Sequence, residues 1–89
     1  MARHRMSYSD IQKGDDVLGS DNKKIGDVDE VTPSYLHVSK GFLFTTDLYI
    51  PRDAVTNVED HTVYLNVPSD RIEQMHWTEP PARTTTTGR

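Results

Sequence analysis

The chain has 89 residues, 34% of them hydrophobic and 27% charged, and it contains no cysteine. That length allows one domain with a modest core, and the missing thiols exclude disulfide staples, thiolate zinc sites and a cysteine nucleophile. Ten basic residues face fourteen acidic ones; because four of the ten lie in the tails, residues 7–77 carry six basic against thirteen acidic side chains, a balance that repels phosphate.

In chain order, residues 1–8 read as a flexible arm bearing Arg3, His4 and Arg5. No apolar run follows that is long enough for a signal peptide or a membrane span, so the protein is expected in the cytoplasm. Ile11 and Gly14 lead into a strand at Asp16, Val17 and Leu18, which ends at Gly19. Ser20, Asp21 and Asn22 then supply a turn, with Asn22 suited to left-handed backbone.

In residues 24–31, Ile25, Val28 and Val31 are three apart. A helix would give that spacing too, but Gly26, the β-branched residues and the following Thr32-Pro33 disfavour one. A bulge near Gly26 instead puts them on one face of a strand. Residues 35–40 alternate cleanly, with Leu36 and Val38 on one face and Tyr35, His37 and Ser39 on the other.

Gly41 precedes three large apolar side chains, Phe42, Leu43 and Phe44, where alternation calls for a loop. Leu48, Tyr49 and Ile50 form a short strand ended by Pro51, which cannot donate to a ladder, and Arg52, Asp53 and Ala54 make a corner. Residues 55–58 and 62–67 form a hairpin over Glu59, Asp60 and His61, with Val63, Leu65 and Val67 inward and Tyr64 and Asn66 outward; its turn lacks the usual glycine. Ser69 or Asp70 is expected to cap a short helical turn, with Ile72, Met75 and Trp77 closing one end of the fold. Residues 78–89 hold no apolar side chain larger than alanine and read as a disordered tail. The folded domain is thus expected over residues 9–77, all-β, as a barrel or sandwich.

The series from Gly14 through Gly19 and Gly26 to Val31, then Lys40-Gly-Phe-Leu-Phe44, Tyr49-Ile-Pro-Arg-Asp-Ala-Val55 and Thr62-Val-Tyr-Leu65, resembles the PRC-barrel domain. It is most similar to small stand-alone bacterial versions of unknown function, over about residues 10 to 77. The resemblance implies a compact antiparallel barrel of about six strands with a short C-terminal helical turn. Better-known relatives occur in the cytoplasmic part of a photosynthetic reaction-centre subunit and in a ribosome-maturation factor, where the barrel is an interaction module. Neither role transfers, because function resides in sites rather than folds.

No reagent for catalysis stands out. His4, His37, His61 and His76 show no metal-ligand spacing. Asp15-Asp16 and Asp27-Val-Asp29-Glu30 lack the twelve-residue calcium pattern and read as a solvated acidic face. No serine sits in a nucleophile elbow, and Gly14 and Gly19 are followed by Ser20-Asp21 rather than by the lysine of a phosphate loop.

The expectation is therefore a non-enzyme without cofactor, metal or small-molecule substrate, whose partner is a protein. Phe42, Leu43, Phe44, Tyr49 and Tyr64 are the candidate interface, expected to pair with a second copy or another protein, with the acidic rim selecting a basic one. The alternative is a ribosome or RNA-processing accessory that uses the Arg3-His4-Arg5 arm.

Overall fold

In the computed structural model, which describes residues 7–41 and 46–79, the apolar runs become six strands. They are β1 (Asp16–Leu18), β2 (Lys24–Val31), β3 (Tyr35–Lys40), β4 (Thr46–Pro51), β5 (Val55–Glu59) and β6 (Thr62–Leu65). Short 3-10 turns stand at Tyr8–Asp10, Arg52–Ala54 and Ser69–Met75. One mixed sheet in the order β4-β3-β2-β1-β6-β5 forms a half-barrel, so the expected small all-β barrel-like fold is present. Its neighbours are antiparallel except β1 and β6, which run parallel with Val17 beside Val63. The chain thus lays down a four-strand meander and returns with a hairpin to shelter its own first strand.

Two bulges explain the three-residue spacing in β2. Val17 faces Gly26 and Leu18 faces Lys24, which leaves Ile25 as the extra residue. Val28 faces Val38 and Glu30 faces His37, which leaves Asp29 extra. Each bulge shifts the alternation by one, so Ile25 and Val28 both reach the core. Gly26 is needed for closeness: a β-carbon there would collide with the Ser39 carbonyl of β3.

Leu36 and Val38 of β3, Leu48 and Ile50 of β4, and Val63 and Leu65 of β6 fill the concave side with Val17, Val28 and Val58. Ile72 and Trp77 complete this core, whereas Met75, expected with them, is 37% exposed. The chain reverses at His76, whose φ of 59° is left-handed, and Trp77 is the side chain that turns inward. The last 3-10 turn is capped from outside itself. Pro68 stands at its N-cap without a side-chain bond, and the Asp21 carboxylate accepts from the Ser69 hydroxyl at 2.8 Å and from its amide at 3.2 Å.

Both free edges of the sheet are blunted. On β4 the Tyr49 amide donates to the Trp77 carbonyl at 2.6 Å, and Pro51 has no N–H to offer. On β5 the Val58 amide is taken by the neighbouring Asn57 Oδ1 at 3.0 Å, while Asn57 Nδ2 donates to Glu59 Oε2 at 3.0 Å. Ser7 and Tyr8, read from the sequence as part of the N-terminal arm, are docked here: the Tyr8 hydroxyl donates to the Thr32 carbonyl at 2.7 Å and its ring packs on the core. Among the described residues, no helix is long and apolar enough to cross a membrane.

Candidate interaction surface

Strand alternation sends Tyr35 and His37 of β3 to the convex side of the sheet, and the β3–β4 register sets His37 opposite Tyr49. Their rings stack with centroids 4.9 Å apart and planes within 4°. Tyr35 meets the same Tyr49 edge-on at 5.8 Å. All three side chains are half-buried, and together they form a pre-ordered aromatic platform on an outer surface.

Carboxylates flank that platform. His37 Nε2 lies 3.1 Å from Asp47 Oδ1, and its Nδ1 lies 3.5 Å from Asp29 Oδ2. The Nε2 contact falls outside hydrogen-bond geometry although the atom itself is buried, which makes it a close approach rather than a directed bond. Asp29 reaches His37 because it is the extra residue of the second bulge. Farther along the same face, Lys24 bridges Asp16 at 3.1 Å and Asp27 at 2.9 Å. Bonding to Asp27 and Asp16 holds the Lys24 ammonium above its ordinary value.

Of the residues that sequence marked for an interface, Tyr49 is at the centre of this platform. Tyr64 lies on β6, paired with Leu18 and Asn57, and β3, β2 and β1 separate it from β4. The structure therefore does not bring the two tyrosines together. Phe42, Leu43 and Phe44 lie outside the described residues, between Gly41 and Thr46. Tyr35 and His37 were read as outward-facing without a role; their alternation was visible, but their meeting with Tyr49 depends on a register that one sequence does not state.

A second corner forms where β4 turns into β5. The Arg52 guanidinium lies 4.6 Å above the Tyr8 ring, its Nη1 donates to the Pro33 carbonyl at 3.3 Å, and its backbone amide donates to Ser34. Burial pushes the Tyr8 phenol above its ordinary value, and the Arg52 charge pulls it partly back. At the turn between β5 and β6, His61 Nδ1 lies 3.3 Å from Asp15 Oδ1. Asp15 is a buried carboxylate that also accepts the Gln12 amide at 3.0 Å. Among the described residues, no three His, Asp or Glu side chains converge as metal ligands.

A family model described as an uncharacterized protein conserved in bacteria, DUF2171, matches residues 11–73. The chain belongs to the DUF2171 family. The DUF2171 match runs from Ile11, the first core residue, into the last 3-10 turn, and so contains all six strands and the aromatic platform. Tyr8 and Trp77, which dock on the two edge strands, fall outside the DUF2171 span. No curated protein matches the chain.

Proposed function

We propose that this DUF2171 chain is a non-catalytic, PRC-barrel-like interaction module of the cytoplasm that self-associates through the convex face of β3 and β4. The observation that carries this reading is the Tyr35–Tyr49–His37 platform, in which His37 stacks on Tyr49 and Tyr35 meets it edge-on, half-buried on an outer surface and edged by Asp29 and Asp47. Aromatic groups held rigid lose little entropy on docking and give large contact area, which is why they anchor protein interfaces. Phe42, Leu43 and Phe44, which join β3 to β4 in sequence, are proposed to take part in the same contact. The acidic edge favours a basic group on the opposing surface and opposes nucleic acid.

Light scattering across a concentration series tests the proposal. The wild type is expected to form dimers, and Tyr35→Ser with Tyr49→Ser, or Phe42→Asp with Phe44→Asp, to return it to monomer with an unchanged circular dichroism spectrum. A wild type that stays monomeric throughout, or variants that dimerise as well as it does, would overturn the reading.

A further inference from the structure

The corner at Arg52 has the make-up of a receptor for an extended acidic segment. Arg52 is held on three sides, by the Tyr8 ring below it, the Pro33 carbonyl at Nη1 and the Ser34 carbonyl on its backbone amide. A guanidinium carries five N–H donors in a planar fork matched to carboxylate, and only one of the five is used here. No described carboxylate forms an ion pair with it, in a chain of net charge −4. The nearest acidic side chain along the chain, Asp53, is exposed.

Three depressions meet at this guanidinium. One of about 330 Å³ runs between Ser7 and Tyr8 on one wall and residues 55–58 of β5 on the other. A second of about 350 Å³ continues past Tyr8 to Val31, Thr32 and Pro33. The third, about 290 Å³, lies over Ser34, Pro51 and Asp53. The first follows the free edge of β5, which pairs with β6 alone. Asn57 blunts that edge at Val58, and the Val55 amide already donates to the Arg52 carbonyl, so the trough offers its side chains rather than a row of open amides.

We infer that a partner protein's extended acidic segment lies in this trough, against Val55 and Thr56, and places an Asp or Glu side chain on Arg52. Backbone contacts along a trough carry no sequence preference, and a single side-chain contact gives selectivity. The Arg52–carboxylate pair is that contact, because a bidentate charge-assisted bond to a pre-oriented guanidinium discriminates acid from amide. The site is separate from the Tyr35–His37–Tyr49 platform and does not depend on self-association.

The probe is the acetylated and amidated pentapeptide Thr-Val-Glu-Val-Thr, with its Gln counterpart, acetate and inorganic phosphate as controls, followed by amide NMR of the full chain. The Glu peptide is expected to shift the amides of Val55, Thr56 and Tyr8 saturably. The Gln peptide on wild type, and the Glu peptide on Arg52→Gln, should bind about tenfold more weakly or worse; Arg52→Lys should fall between. Should Arg52→Gln lose its dispersed spectrum, the Glu-against-Gln comparison on wild type and the Arg52→Lys variant still decide. Equal binding of Glu and Gln peptides, or no saturable shifts at β5, overturns the inference. So does acetate or phosphate reproducing the whole effect, which would reduce Arg52 to a simple anion spot. A wild type that dimerises through Tyr49 while ignoring the peptide would sink this inference alone; one that binds the peptide but stays monomeric would sink only the self-association reading.

Discussion

Asp21 shows how a single side chain organises a distant piece of chain. It sits in the turn after β1, yet it caps the 3-10 turn that begins at Ser69, and the two meet only because Gly19 lets them. A β-carbon at Gly19 would press on the Ser69 amide and the Val67 carbonyl. Desolvation pushes the Asp21 carboxyl up, but the hydrogen bonds from the Ser69 hydroxyl and amide and from the Lys23 amide outweigh it and bring the group below its ordinary value. A carboxyl depressed on folding contributes stability that is complete above its unfolded value of about 3.9 and is lost as pH falls through the folded one. Acid titration followed by Trp77 fluorescence should therefore show the last turn loosening below about pH 4, while Asp21→Asn, loosened already at neutrality, should show a flatter acid limb. Identical limbs in the two proteins would refute the linkage. Gly26 carries a separate demand. Since Gly26→Ala drives a methyl into the backbone of β3, it is expected to cost about 2 kcal/mol or more in urea denaturation, at the upper end for overpacking because backbone yields less than side chains.

At the scale of elements, the hairpin of β5 and β6 and the edges of the sheet are informative. The turn residues Asp60 and His61 both have positive φ, 48° and 64°, which is the primed two-residue turn that matches strand twist. Asparagine or aspartate followed by glycine is the favoured pair for it, and histidine in the second place is strained. His61→Gly should therefore stabilise the protein by about 0.5–1 kcal/mol, measured as a rise in the urea midpoint, because the contact it removes comes from a histidine side chain that is 74% exposed, while the buried Asp15 carboxylate keeps the Gln12 amide. The sequence made this hairpin legible through the alternation of Val63, Tyr64 and Leu65, and it made β2 legible through the need for a bulge at Gly26. The edge devices were not legible. Nothing in one sequence says that Asn57 will fold back on the Val58 amide or that Trp77 will meet Tyr49, because both depend on which strands lie outermost. Asn57→Val removes the Asn57 device, frees the Val58 amide at a sheet edge and should raise time-dependent light scattering at neutral pH. Unchanged scattering would mean that the Tyr8–Asp10 turn alone protects that edge.

For the whole molecule the decisive element is the shortest one. β1 has three residues, but it is the seam between the β2–β4 part of the sheet and the returning hairpin, pairing antiparallel with β2 and parallel with β6. Periodicity located this strand and could not supply its second partner: three residues carry too little pattern to announce a parallel neighbour more than forty positions away, and the wholly antiparallel barrel that the PRC-barrel resemblance implied gives way here to one parallel pair. The same blindness to long-range pairing explains the platform. Alternation sends Tyr35 and His37 outward and Tyr49 is a candidate interface residue, but their meeting required the β3–β4 register and the bulge that delivers Asp29. If β1 is the seam, the two halves should hold together or fail together, and Val17 is where to ask. Its side chain is fully buried, with Gly26 on one side and Val63 on the other. Val17→Ala leaves a cavity shared by both halves and is expected to cost about 1.5–3 kcal/mol, a large share of the stability of so small a domain. Trp77 reports the β4 edge and far-ultraviolet circular dichroism reports all strands, so their urea transitions should coincide in the wild type and shift together in Val17→Ala. If the Trp77 transition stayed in place while the dichroism broadened, the hairpin would be unfolding by itself and the seam would lie elsewhere than β1.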